Sequence, residues 1–93
     1  MRFTWDPEKA ESNIDKHGLS FEEASTAFGD PLSRTQPDPL HSDEEDRLIL
    51  MGMTSAGRLV IVAHVDRGET VRLVSARLVT PGERRRYEQT HEE

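Results

Sequence analysis

The sequence predicts an α+β domain, with two N-terminal helices and one C-terminal helix on a mostly antiparallel sheet of about four strands. Two observations carry that expectation. Helix-start grammar recurs at three places along the chain, and the C-terminal half holds apolar, β-branched runs separated by short turns. At 93 residues the chain fits one domain spanning its whole length, and is too short to divide into two independently folding units.

Phe3-Thr4-Trp5 reads as a short first strand. Asp6-Pro7 then supplies an N-cap side chain and a proline at the first helical position, where a missing N–H costs nothing. The helix that follows should run to about His17 and stop at Gly18, the residue best able to adopt a left-handed conformation after a last helical turn. Ser20-Phe21-Glu22-Glu23 is a capping box for a second, shorter helix, with Phe21, Ala24 and Phe28 on one apolar face and Gly29 at its end.

Pro31, Pro37 and Pro39, with the acidic run Asp43 to Asp46, predict an exposed loop over 35–46 and an edge strand near Leu32 to Arg34. Arg47 to Met53, Arg58 to Asp66 and Thr70 to Val79 then read as a three-stranded meander joined by turns at 54–57 and 66–69. Thr80-Pro81-Gly82-Glu83 repeats the helix-start grammar and opens a C-terminal helix to about His91.

Composition narrows the function. With no cysteine, neither a disulfide framework nor a thiolate metal site is available. No apolar run approaches the roughly 18 residues of a membrane span, and Met1-Arg2-Phe3-Thr4-Trp5 enters structured sequence directly, so a cytoplasmic chain is expected. The net charge of −6 argues against nucleic-acid binding, yet it is unevenly spread. Residues 47–93 carry eight cations, all arginine, against six anions, which permits an arginine-lined site with an acidic far side.

Several mechanisms are excluded by motif. There is no Gly-rich phosphate loop, no Gly-x-Ser-x-Gly elbow, and no His pair at helical spacing; the scattered His17, His41, His64 and His91 do not suggest a metal site. No cofactor is expected. Lys16 and His17 sit at a helix C-terminus, where the macrodipole favours cations. They read either as a plain helix ending or as a phosphate contact and an acid–base group. Period two separates Val71, Leu73, Ser75 and Arg77 from Arg72, Val74, Ala76 and Leu78; with the helices on the second set, Arg77 projects from the opposite face. It reads as a clamp or as half of a salt bridge to an acidic helix residue. On the last helix Arg84, Tyr87 and His91 share a side while Arg85 and Arg86 point elsewhere, and Tyr87 beside arginines suits base stacking.

In their order, these blocks resemble the BrnT toxins. The opening Phe3-Thr4-Trp5-Asp6-Pro7 with Lys9-Ala10, Asn13, Lys16-His17-Gly18 and Ser20-Phe21-Glu22-Glu23-Ala24 looks like the family's start. Phe28-Gly29-Asp30-Pro31, the His41 to Arg47 stretch, Gly57-Arg58-Leu59, Val74-Ser75-Ala76-Arg77 and Glu83-Arg84-Arg85-Arg86-Tyr87-Glu88 resemble its later blocks. The resemblance covers roughly Phe3 to Glu88. It implies a RelE-like fold, a type II toxin that cleaves RNA and inhibits translation, and a BrnA-like antitoxin that binds the toxin, the pair repressing its own operator DNA. Carried over residue by residue, it implies a site drawn from Lys16, His17, Arg77, Glu83, Arg84 and Tyr87.

The chemistry such a site needs is modest. RNA supplies its own nucleophile, the 2′-OH, so the protein must align it and neutralise phosphate charge without a metal. His17 or Glu83 would serve as base, with Arg77 and Arg84 as clamps, although Glu83 has a competing task as the capping-box residue. The acidic total favours an alternative: a non-catalytic module of the same fold, acting through its antitoxin and operator DNA.

Overall fold

A computed structural model of the chain describes residues 1–40 and 46–91. His41 and residues 43–45 of the acidic run lie outside them, as does the side chain of His91. The order is β1 (Arg2–Thr4), α1 (Pro7–His17), α2 (Phe21–Ser25), a 3-10 turn (Thr26–Gly29), β2 (Arg34–Pro37), β3 (Arg47–Met53), β4 (Leu59–Arg67), β5 (Thr70–Leu78) and α3 (Pro81–His91). No described helix is long and apolar enough to cross a membrane.

The helix signals act as their chemistry dictates. Asp6 Oδ1 accepts from the Glu8 N–H at 2.9 Å, and Gly18, at φ 64°, closes α1 by donating to the Ile14 carbonyl at 2.8 Å. Ser20 Oγ accepts from the Glu23 N–H, but the Glu23 carboxylate is diverted from the rest of its capping box to Arg58, at 2.6 and 2.8 Å. The second helix tightens into a 3-10 turn at Thr26 instead of continuing to Gly29. That turn rests on β3 at Gly52, where a Cβ would lie 2.9 Å from the Ala27 carbonyl oxygen.

The sheet has five strands in the order β1-β5-β4-β3-β2, and it is mixed. The expectation of about four mostly antiparallel strands is corrected in two places. β1 pairs in parallel with β5, from Arg2 opposite Thr70 to Thr4 opposite Arg72. The edge strand falls at Arg34–Pro37, inside the expected loop, where a proline is tolerated because it sits at the strand's end on a sheet edge.

A bulge between Ala63 and His64 leaves Val74 without an opposite residue, so the two faces of β5 exchange there. Val71 and Leu73 before it and Ala76 after it all enter the core with Leu19, Phe21 and Ala24 of the N-terminal helical layer. Simple alternation would have put Arg77 on the same face as Leu73, in that core. The bulge turns it to the other face.

β1 covers β5 only to Arg72, and Asn13 of α1 completes the edge beyond. Its side chain imitates a neighbouring strand: Oδ1 accepts from the Ala76 N–H at 3.0 Å, and Nδ2 donates to the Ala76 and Leu19 carbonyls, each at 2.9 Å. Asn13 is 5% exposed, so none of these groups turns to water instead. Asn13→Ala should lower the unfolding free energy by about 3 kcal/mol, because buried backbone groups lose their partners, and Asn13→Asp by at least as much. Urea denaturation measures both; a loss below about 1 kcal/mol for each contradicts this role.

Candidate active site

Opposite the helical layer, two cross-strand rows face away from the core. One runs Arg34, Met51, Ile61, Arg77 across β2, β3, β4 and β5, and the other runs Gln36, Ile49, Ala63, Ser75. The first row has an arginine at each end and apolar side chains between. Three strand spacings separate its ends by about 14 Å.

α3 lies over this face and not with the other two helices. Glu83, Arg86 and Tyr87 join the row in lining a hollow of about 440 Å³, a volume suited to a small ligand or one nucleotide. The floor is apolar and the rim cationic. Among the described residues no three His, Cys, Asp or Glu side chains come together to hold a metal ion.

Arg77 and Glu83 form the rim's fixed point. Nη1 and Nη2 of Arg77 donate to the two carboxylate oxygens at 2.9 and 3.0 Å, and Nη1 also donates to the Leu78 carbonyl at 3.2 Å. Three of the five guanidinium hydrogens are thereby used. The Nε hydrogen and one Nη2 hydrogen, which share the side edge, have no partner among the described residues. That edge matches two oxygens of a phosphate.

Glu83 also completes a capping box. Its Oε1 accepts from the Thr80 N–H at 2.8 Å, and its own N–H donates to Thr80 Oγ1 at 3.2 Å. The hydrogen-bonded Arg77 guanidinium, opposed by partial burial and aided by the Thr80 N–H, holds the carboxyl well below its ordinary 4.5, at about 2. A carboxylate so stabilised is a poor proton acceptor at neutral pH.

Tyr87 donates its phenolic proton to Asp30 Oδ2 at 3.0 Å, and the same oxygen accepts from the Met53 N–H at 2.8 Å. Burial and the Asp30 carboxylate raise its pKa, so it stays a neutral hydrogen-bonding group.

The structure thus gathers Arg77, Glu83 and Tyr87 in one hollow and leaves Lys16, His17 and Arg84 out of it. Lys16 and His17 are exposed at the end of α1, which packs on the opposite face. Arg84 lines a second hollow and lies 3.7 Å from Glu88. The expected phase of the last helix is corrected: with Glu83 anchored to Arg77, Arg86 and Tyr87 follow it on the sheet side at three- and four-residue spacing, while Arg84 turns to the flank. Arg34 and Arg86 also line the hollow, beyond the residues the sequence points to. For Arg86 the signal was its spacing from Glu83; for Arg34 it was the register of an edge strand, which the sequence does not display.

Because the Glu83 pKa is depressed on folding, its contribution to stability is complete above about pH 4.5 and is lost as the pH falls toward about 2. Urea midpoints of the wild type and Glu83→Gln should differ at neutral pH and converge across that acid window. A difference that persists unchanged to the acid end contradicts the pairing.

A family model described as the ribonuclease toxin BrnT of type II toxin-antitoxin systems matches residues 5–83. The crystal structure of the ribonuclease toxin BrnT from Brucella abortus aligns with a TM-score of 0.68 at 24% identity, covering 86% of this chain and 97% of that one, and shows that the two share a fold. No curated protein matches.

Proposed function

The chain belongs to the BrnT family of ribonuclease toxins, whose type II systems pair each toxin with an antitoxin, and from that premise we propose that it cleaves RNA in the hollow between α3 and the open sheet face, without a metal ion. The single observation that carries this reading is Arg77, which lines the hollow with one guanidinium edge fixed by Glu83 and the other still unpaired among the described residues.

In the proposed reaction the 2′ oxygen attacks the adjacent phosphorus, the bond from phosphorus to the 5′ oxygen breaks, and a 2′,3′-cyclic phosphate and a 5′-OH result. Charge grows on the non-bridging oxygens, and Arg77, with Arg34 and Arg86 on the same rim, stabilises it. Glu83 positions Arg77 and does not act as the base, because the ion pair makes it too weak an acceptor. The 2′ proton passes to water in the hollow, and water returns one to the 5′ oxygen. Tyr87 and the apolar row seat the flanking base.

The wider reading follows: cutting of message in the cytoplasm, inhibition of translation on a RelE-like fold, and neutralisation by a BrnA-like antitoxin that carries the pair to operator DNA. The net charge of −6 favours the alternative, a non-catalytic module acting through that partner.

Incubating the purified protein with RNA in EDTA separates the two. Cleavage to cyclic-phosphate ends is expected, with Arg77→Ala slower by about a hundredfold or more, and Arg77→Lys also impaired because an ammonium lacks the fork. Activity that appears only on adding a divalent cation contradicts the metal-free mechanism, and RNA left intact under all conditions favours the binding module.

A further inference from the structure

Arg84, which does not join the first hollow, lines a second one. Arg58, Leu59, Leu78, Thr80, Pro81 and Arg84 line a hollow of about 340 Å³. The two hollows lie on opposite faces of β5 at its end, where alternation turns Arg77 to the first and Leu78 to the second; Glu83 and Arg84, consecutive in α3, divide the same way. The end of α1 reaches its border through Gly18, whose carbonyl accepts from Arg58 Nη2 at 3.4 Å.

Its chemistry is that of the first hollow in miniature. Glu23 fixes Arg58 through Nε and Nη2, at 2.8 and 2.6 Å, and leaves both Nη1 hydrogens without a partner among the described residues. Among the described residues Arg84 has only a loose pairing, 3.7 Å from Glu88, and it is about half exposed. Leu78 is 46% exposed although its strand neighbour Ala76 is buried, and it shares the hollow with Leu59 and Pro81. Two cations beside an open apolar surface fit a phosphate and the flat face of a base.

We infer that this second hollow is a subsite for a nucleotide flanking the scissile linkage, so that single-stranded RNA passes from one hollow to the other around the last residues of β5. Arg58 and Arg84 take the flanking phosphate, and Leu78 and Pro81 carry the base. The inference rests on the ribonuclease reading for its substrate, but its geometry makes a separate demand: affinity must depend on RNA length.

Fully 2′-O-methylated RNA, which has no nucleophile and so cannot be cut, provides the probe. Fluorescence anisotropy compares a dinucleotide with a hexanucleotide on the wild type, Arg84→Glu, Arg84→Ala and Arg84→Lys. The hexanucleotide should bind more tightly than the dinucleotide to the wild type. Arg84→Glu should weaken the hexanucleotide by about tenfold and the dinucleotide by less than about twofold, while Arg84→Lys retains most of the affinity. For Arg84→Ala, the slope of log affinity against log salt should fall by about 0.7, the loss of one phosphate contact.

Equal weakening for both lengths, an unchanged hexanucleotide affinity, or no advantage of length in the wild type overturns the subsite. Length-dependent loss in a protein that cleaves no unmodified RNA supports the subsite and overturns the nuclease reading alone. Thermal unfolding midpoints that match the wild type show that the variants remain folded.

Discussion

The pairing of Arg77 with Glu83 is the contact on which the arginine-rimmed face of the sheet depends. It joins the last strand to the first turn of the last helix by two parallel hydrogen bonds, and the same carboxylate caps that helix through Thr80. The Arg77 side chain is 42% exposed, so solvent screens the pair and its effect on stability is small. Its effect on orientation is large. Once Glu83 is fixed, helical spacing places Arg86 and Tyr87 over the sheet and sends Arg84 to the other side. Tyr87, bonded to Asp30, holds the next turn of the helix to the far end of β3.

That contact requires Arg77 to face outward, which is a property of the sheet. The bulge at Val74 reverses the alternation of β5, and Asn13 secures the reversed segment by bonding both backbone groups of Ala76. The N-terminal helical layer therefore does more than cover the core. It holds the end of β5 in the phase that presents Arg77 to the hollow, and through Gly18 and Glu23 it holds Arg58 beside Arg84.

Local chemistry made much of this legible. The caps at Asp6 and Gly18, the Ser20 N-cap and the Thr80–Glu83 box lie within a few residues of their partners, and the helix starts and the end of α1 fall where those signals put them. Long-range pairing was less visible. Nothing in Phe3-Thr4-Trp5 says that it lies parallel to a strand almost seventy residues away, and Pro37 masks an edge strand as a loop. The salt bridge at Arg77 is one of the two readings its sequence context allows, but the bulge that directs the side chain leaves no mark in an alternating stretch. Lys16 and His17 looked like partners of Arg77 because sequence shows residue types and not the face on which each helix packs.

In the proposed mechanism Arg77 meets the scissile phosphate with its side edge while Glu83 keeps the other. Nitrogen-15 NMR of the arginine side chains, during titration with 2′-O-methylated dinucleotide, reads that contact. The Arg77 Nε–H resonance should shift and become protected from exchange, while in Glu83→Gln the same shift weakens. An unperturbed Arg77 in a protein that binds the dinucleotide contradicts it.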